Sequence, residues 1–238
     1  MSKLKVGIYG DSFAFPYNIV RGAAQHPGIH NVGNAWSAML AESYDVENFS
    51  WPGSDIYFSY DLFLKNYKNF DVNIFVKTAD NRLSVRYDND YVHLYRMDWS
   101  IDSLKIEKDF DLQQIYRSGI DYFTFLQDDK KDAVLAELMA AQIQRLDPGC
   151  IFIDTRNESG LKNVFLLENT AWNIPTDRYI TKFDKIIDLR YCHMTKENNI
   201  VVYDKVVNCI ENRTTYTASL SDFKIPILNE KQKYIVNK

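Results

Sequence analysis

Cysteine, histidine and contiguous charge are all scarce in this chain of 238 residues. Cys150, Cys192 and Cys209 are odd in number, widely spaced and free of any C-x-x-C pair, which argues against a disulfide framework and a cysteine zinc site. The four histidines, His26, His30, His93 and His193, leave few candidates for histidine-dependent chemistry. No long run of Lys or Arg occurs, and 28 basic against 32 acidic residues give a net charge of -4, so the electrostatic footprint of a nucleic-acid partner is missing. Nothing approaches the roughly 20 consecutive apolar residues of a membrane span. Residues 1–5 lead straight into a strand pattern without an apolar leader, and the expected location is cytoplasmic. The length suits one domain with elaborations.

What is present is an alternation of strand and helix patterns. Residues 3–9, 43–49, 72–76, 150–153 and 185–189 read as five short strands. Between them, 35–42 has helical spacing with Asn34 as its cap, and 55–67 carries apolar residues at Ile56, Leu62, Phe63 and Tyr67. Residues 131–146 form the clearest helix pattern, with Val134, Leu135, Leu138, Met139 and Ile143 on one face and Asp147-Pro148-Gly149 as its stop. A last helix is expected over 195–209. This rhythm predicts an α/β fold with a parallel sheet covered on both faces. Residues 86–126 break it, being rich in Tyr, Asp and Trp and too long for a simple connection, and read as an inserted lid or partner-binding element. Residues 214–238 form a polar extension beyond a domain of 1–213.

The chemistry begins at the end of the first strand, where Gly10-Asp11-Ser12 puts a serine on a glycine-preceded turn. Strand-end loops of open α/β sheets form the ligand crevice, which makes Ser12 a candidate nucleophile. A serine needs a base, most usefully a histidine oriented by a carboxylate. His193 follows the last expected strand, and Asp188 is the nearest strong carboxylate candidate. Oxyanion donors are available in Trp51-Pro52-Gly53-Ser54 after strand two, where Gly53 can present its backbone N–H, and in Thr78-Ala79-Asp80-Asn81-Arg82 after strand three, where Asn81 offers an amide. Asp11, Asp80, Arg82 and Arg190 are substrate-binding candidates, with ion pairs of Arg82 to Asp80 and of Arg190 to Asp188 as the structural alternative.

These four blocks, in this order, resemble the SGNH (GDSL-type) hydrolases over residues 3–210, and within that family divergent bacterial and tailed-phage members. The resemblance implies a three-layer α/β/α, flavodoxin-like fold with a five-stranded parallel sheet, and a serine esterase that works without a cofactor or metal. It implies Ser12 as nucleophile and, with Gly53 and Asn81, oxyanion donor, His193 as base and Asp188 as its acid. Two blocks depart from the family pattern. Thr78 to Asn81 stands where Gly-x-Asn-Asp is usual, leaving Asn81 or Asp80 at the oxyanion hole, and Arg190 occupies the usual acid position three residues before His193, leaving either Asp188 on a longer loop or a Ser-His dyad with a backbone carbonyl orienting the ring. The expected partner is a small-molecule or glycan ester, as in carbohydrate O-deacetylation. The aromatics Tyr87, Tyr91, Tyr95, Trp99, Tyr116 and Tyr122 are candidates for stacking on sugar rings, or for a homo-oligomer or assembly interface. The reading from another class is a non-catalytic module of the same fold in a larger assembly, in a virion if the chain is of phage origin.

Overall fold

The computed structural model describes residues 2–16, 35–77, 82–88, 90–95, 107–154, 164–167, 196–212, 216–218 and 222. Its elements are β1 (Lys5–Tyr9), α1 (Trp36–Ser43), β2 (Asp45–Asn48), α2 (Ile56–Asn66), β3 (Val72–Lys77), β4 (Arg82–Tyr87), β5 (Asp90–Tyr95), α3 (Phe110–Asp121), α4 (Asp129–Leu146), β6 (Ile151–Asp154), β7 (Val164–Leu167), α5 (Lys196–Asn212) and β8 (Tyr216–Ala218). Six strands form one sheet in the order β2-β1-β3-β6-β7-β8, and every neighbouring pair is parallel. Ranked by their place in the chain, these strands run 2-1-3-4-5-6, a doubly wound order that reverses direction between β1 and β3. In open α/β sheets the loops that leave the carboxyl ends of the strands at such a switch point are where ligands bind.

Side-chain alternation along the strands separates the core into two unlike layers. Val6 and Ile8 of β1, Val72, Ile74 and Val76 of β3, and Ile151 and Ile153 of β6 face α1 and α5, where they meet Trp36, Leu40, Val202, Val206 and Ile210. The intervening residues Tyr9, Phe75 and Phe152 face α2 and α4 with Phe63, Ala136, Ala140 and Ile143. Tyr9 stacks on Phe49 at 5.1 Å and takes the edge of Phe63 at 5.4 Å. β3 is buried along its whole length, as a central parallel strand should be.

The fold departs from the sequence expectation in four places. The sheet has six strands among the described residues rather than five. Val164–Leu167 lies beside β6, and Tyr216–Ala218 adds an edge from within the segment expected as an extension. Both are too short to show a period, and the expected strand at 185–189 lies outside the described residues. Helix α4 is rotated from the expected face: Ile143 is buried and Met139 packs on the core as expected, but Ala136 and Ala140 join them, whereas Val134, Leu135 and Leu138 are exposed. The aromatic layer of Tyr9, Phe63, Phe75 and Phe152 already fills the space under the helix, so alanines let it approach.

The start of α1 is bonded from across the fold, with Asn199 Oδ1 of α5 accepting the Trp36 N–H at 3.1 Å; Asn34, the expected cap, lies outside the described residues. The segment expected as an insertion at 86–126 opens as an antiparallel hairpin, β4 and β5, that starts four residues earlier at Arg82. Asp88 takes φ 52 in its turn, a left-handed conformation that aspartate tolerates. Helix α3 and a π-helical turn (Tyr122–Leu126) follow.

The α4 assignment yields a direct comparison. Ile143→Ala should lower unfolding stability by about 2–5 kcal/mol, while Leu138→Ser, at a position 61% exposed, should change it by less than about 0.5 kcal/mol. Urea unfolding of both variants measures this, and equal losses would contradict the orientation of the helix.

Candidate active site

The residues after β1 form a tight turn closed by the Ala14 N–H donating to Asp11 O at 3.0 Å, with Ser12 and Phe13 at its centre. Asp11 Oδ1 accepts the Phe13 N–H at 3.0 Å, a second closure of the same turn. Ser12 is 8% exposed. Gly10 is required for packing: a Cβ there would lie 2.7 Å from Val76 Cβ and 3.2 Å from Ala14 Cβ, so any side chain would push the serine turn off β3.

The loop after β2 is fastened to this turn at one acceptor. Gly10 O receives the Trp51 N–H at 3.1 Å and the Ser54 hydroxyl at 3.1 Å. Between those anchors, Ser54 N–H donates to Trp51 O at 3.1 Å, with Pro52 and then Gly53 at φ 80 in the central positions. This is type II turn chemistry, in which the third residue must take positive φ. Asn48 adds a further tie, its amide donating to Ala14 O at 2.7 Å and its oxygen accepting the Ser50 N–H at 2.9 Å. Gly53 and Ser12 are thus carried by two turns bonded to each other.

Two further elements reach the serine turn. The indole N–H of Trp36, at the start of α1, donates to Phe13 O at 2.7 Å. Because Asn199 of α5 holds the backbone N–H of that same tryptophan, the first turn of the last helix is two hydrogen bonds from the residue that follows Ser12. From the other side, Arg82 Nη1 forms an ion pair with Asp11 Oδ2 and donates to Ser54 O at 3.2 Å. The side chains are 16% and 3% exposed, so the pair is largely shielded from water. Arg82 therefore engages Asp11, the acid beside the candidate nucleophile.

Two residues along β4, Ser84 continues the attachment. Asp55 receives the Phe58 N–H at Oδ1 and the Ser84 N–H at Oδ2, each at 2.8 Å, and so caps α2 and grips the hairpin together. The Ser84 hydroxyl accepts the Asp55 N–H at 3.2 Å and lies 2.8 Å from His93 Nδ1. Donor and acceptor in that contact follow from the tautomer of the ring. Burial pushes His93 down to about 4, helped by Arg82 and opposed by Asp90, so the ring is neutral at pH 7. Burial raises the Asp55 carboxyl in spite of its N–H donors. Phe58 meets the His93 ring edge-on at 4.9 Å.

Of the residues expected in the site, Ser12, Asp11, Gly53 and Arg82 are described, and the structure gathers them around Gly10. Asp80, Asn81, Asp188, Arg190 and His193 lie outside the described residues. Cys150 and Cys209 are buried, and burial pushes both thiols up. Among the insertion aromatics, Tyr91 is committed to structure: its hydroxyl donates to Asp61 at 2.8 Å and Arg86 covers its ring at 5.6 Å. Asn48, Ser54, Trp36 and Asn199, which sequence reasoning passed over, are the supports of the serine turn. Their signal is long-range and has no local pattern. Among the described residues no group of three or more His, Cys, Asp or Glu side chains could hold a metal, and no helix is long and apolar enough to cross a membrane.

No protein-family model matches the chain, and no curated protein does. Among solved structures, the crystal structure of an acetyl xylan esterase, AlAXEase, aligns with a TM-score of 0.36 at 17% identity, over 87% of this chain and 100% of that one. What is established is an α/β protein with a parallel sheet and helices on both faces.

Two predictions follow from the shielded groups. Arg82→Met should cost about 3 kcal/mol, because it strands the Asp11 carboxylate in a dry site, and Asp11→Asn in that background should recover a substantial part. Urea unfolding of the double-mutant cycle tests this, with additive losses as the contrary result. The second concerns pH. Since His93 titrates at about 4 in the folded chain and near 6.5 unfolded, the unfolded chain binds the extra proton between these values. Its contribution to stability should be full above about pH 6.5 and fall by roughly 2–3 kcal/mol as pH drops to about 4. The raised Asp55 carboxyl has the opposite sign, so the comparison is with His93→Asn, which keeps a hydrogen-bond partner for Ser84. A wild-type minus variant difference that is flat over this window would refute it.

Proposed function

We propose that the protein is a serine esterase of the SGNH type. Ser12 attacks the carbonyl of a carboxylic ester, His193 takes its proton and delivers it to the departing alcohol, and water then releases the acyl group from Ser12 by the same base. Asp188 orients His193 through its second nitrogen. The backbone N–H groups of Ser12 and Gly53, with Asn81, receive the oxyanion.

The observation that carries this reading is the bonded path from α5 to the serine turn, Asn199 to Trp36 to Phe13. His193 stands three residues before α5 in the sequence, and Asn199 lies in the first turn of that helix, which supports His193 as the partner of Ser12. Further support comes from Ser12 at the switch point of a doubly wound sheet, where such folds bind ligands, and from the Gly53 turn bonded to Gly10. The Arg82 pair with Asp11 also fits, because it leaves Asp11 a positioning residue for the turn rather than a free acid.

A fluorophosphonate probe should label the wild-type protein on Ser12 and fail to label Ser12→Ala. On short-chain esters Ser12→Ala should lose at least about 10³-fold in kcat/KM, and His193→Ala a similar factor. Full ester hydrolysis by Ser12→Ala would sink the assignment. Absence of labelling in the wild type would favour a non-catalytic module.

A further inference from the structure

Trp51 is 52% exposed, although its backbone is among the most firmly held near the serine turn. Its N–H is bonded to Gly10 O, its carbonyl accepts the Ser54 N–H, and Pro52 restricts the next φ. The indole is braced by Phe15, a buried ring three residues after Ser12, in an edge-on contact at 5.9 Å and 81°. A large apolar ring is therefore fixed beside the serine turn with more than half of its surface in water. Trp36, by contrast, is buried and spends its N–H on Phe13. Tyr91, the described insertion aromatic with both a fixed hydroxyl and a covered ring, is not open for stacking.

We infer that Trp51 is the platform for the sugar ring of an O-acylated pyranoside, a binding role that rests on the esterase reading of Ser12. A pyranose has one face of C–H groups and a rim of hydroxyls. Such a ligand covers an indole face while its hydroxyls stay in water, which matches a tryptophan held with half of its surface exposed. An acyl chain would instead call for an enclosed apolar slot. Trp51 follows β2 on the loop that carries Gly53. The pre-fixed backbone and the two-torsion side chain limit the entropy lost on stacking.

The test uses the full chain and two kinds of acetate: mono-O-acetylated methyl gluco-, galacto- and xylopyranosides, and simple alkyl acetates. Trp51→Ala should lower kcat/KM on at least one acetylated pyranoside by about 10- to 100-fold, mainly through KM, and leave alkyl acetates within about twofold. Trp51→Phe should restore most of the loss. Equal losses on both kinds of acetate, or a loss that grows with acyl length from acetate to butyrate, would overturn the inference in favour of a structural or acyl-binding role. Binding is measured independently of turnover by titrating the same pyranosides into Ser12→Ala and following ligand-detected NMR. Binding there that disappears in Ser12→Ala/Trp51→Ala supports the platform even if no ester is hydrolysed. No binding to Ser12→Ala, or binding that survives the loss of Trp51, refutes it. Failure of fluorophosphonate labelling with pyranoside binding intact would count against the esterase reading alone. Urea midpoints of each variant establish that it is folded.

Discussion

The organisation of the crevice depends on the close packing of Gly10 against Val76. A backbone that touches the neighbouring strand this closely has no room for a side chain, since a Cβ would stand 2.7 Å from Val76 Cβ. The consequence is a carbonyl held rigidly at the top of β1, and that carbonyl accepts both Trp51 N–H and the Ser54 hydroxyl. One missing side chain thereby fixes two loops. The turn holding Ser12 and the turn holding Gly53 inherit a common frame. Their relative geometry is then set by hydrogen bonds with little freedom, which is what an oxyanion site requires.

The two faces of the sheet contribute differently to that frame. The β-branched face packs under α1 and α5, and those helices deliver Trp36 and Asn199 to the serine turn. The aromatic face packs under α2 and α4, where small residues in α4 and a glycine at position 7 admit large rings: a Cβ on Gly7 would lie 2.7 Å from the Phe70 ring. The first layer is shaped toward the candidate site. The second gives the bulk of the enclosed volume. Separation of the two roles follows from the period-two alternation of the strands.

The strand-helix rhythm was legible because period and turn chemistry are local. β1, β2, β3, β6 and the helices after them fall within a few residues of their expected positions, and the Gly10 to Ser12 turn and Pro52-Gly53 announced themselves by residue type. The inner face of α4 was not legible, because hydropathy favours Val134, Leu135 and Leu138 while the available space favours Ala136 and Ala140. β7 and β8 are too short to carry a pattern. Aromatic and acidic composition over 86–126 hid a hairpin whose alternation, Leu83 and Val85 against Ser84 and Arg86, is plain once the strand is seen to begin at Arg82. The supports of Ser12 were hidden for another reason. Asn48, Trp36, Asn199 and Arg82 are 34, 23, 163 and 71 residues from the groups they hold, and no sequence window spans such distances.

The hairpin shows how a strand can serve as a wall for the crevice. Arg82, Ser84 and Arg86 alternate onto one face of β4, and their partners advance in step along the loop and helix opposite: Asp11 and Ser54, then Asp55, then Asp61. Each of the three positions meets a carboxylate through its side chain or amide, and Arg82 also donates to Ser54 O. The strongest are at the crevice end, where Asp11 and Asp55 are buried, and the weakest is the solvent-exposed Arg86 contact at 3.5 Å. Attachment that tightens toward Ser12 keeps the wall registered on the serine turn and lets its far end vary. An insertion anchored in this way can vary at its far end without disturbing the backbone of the serine turn.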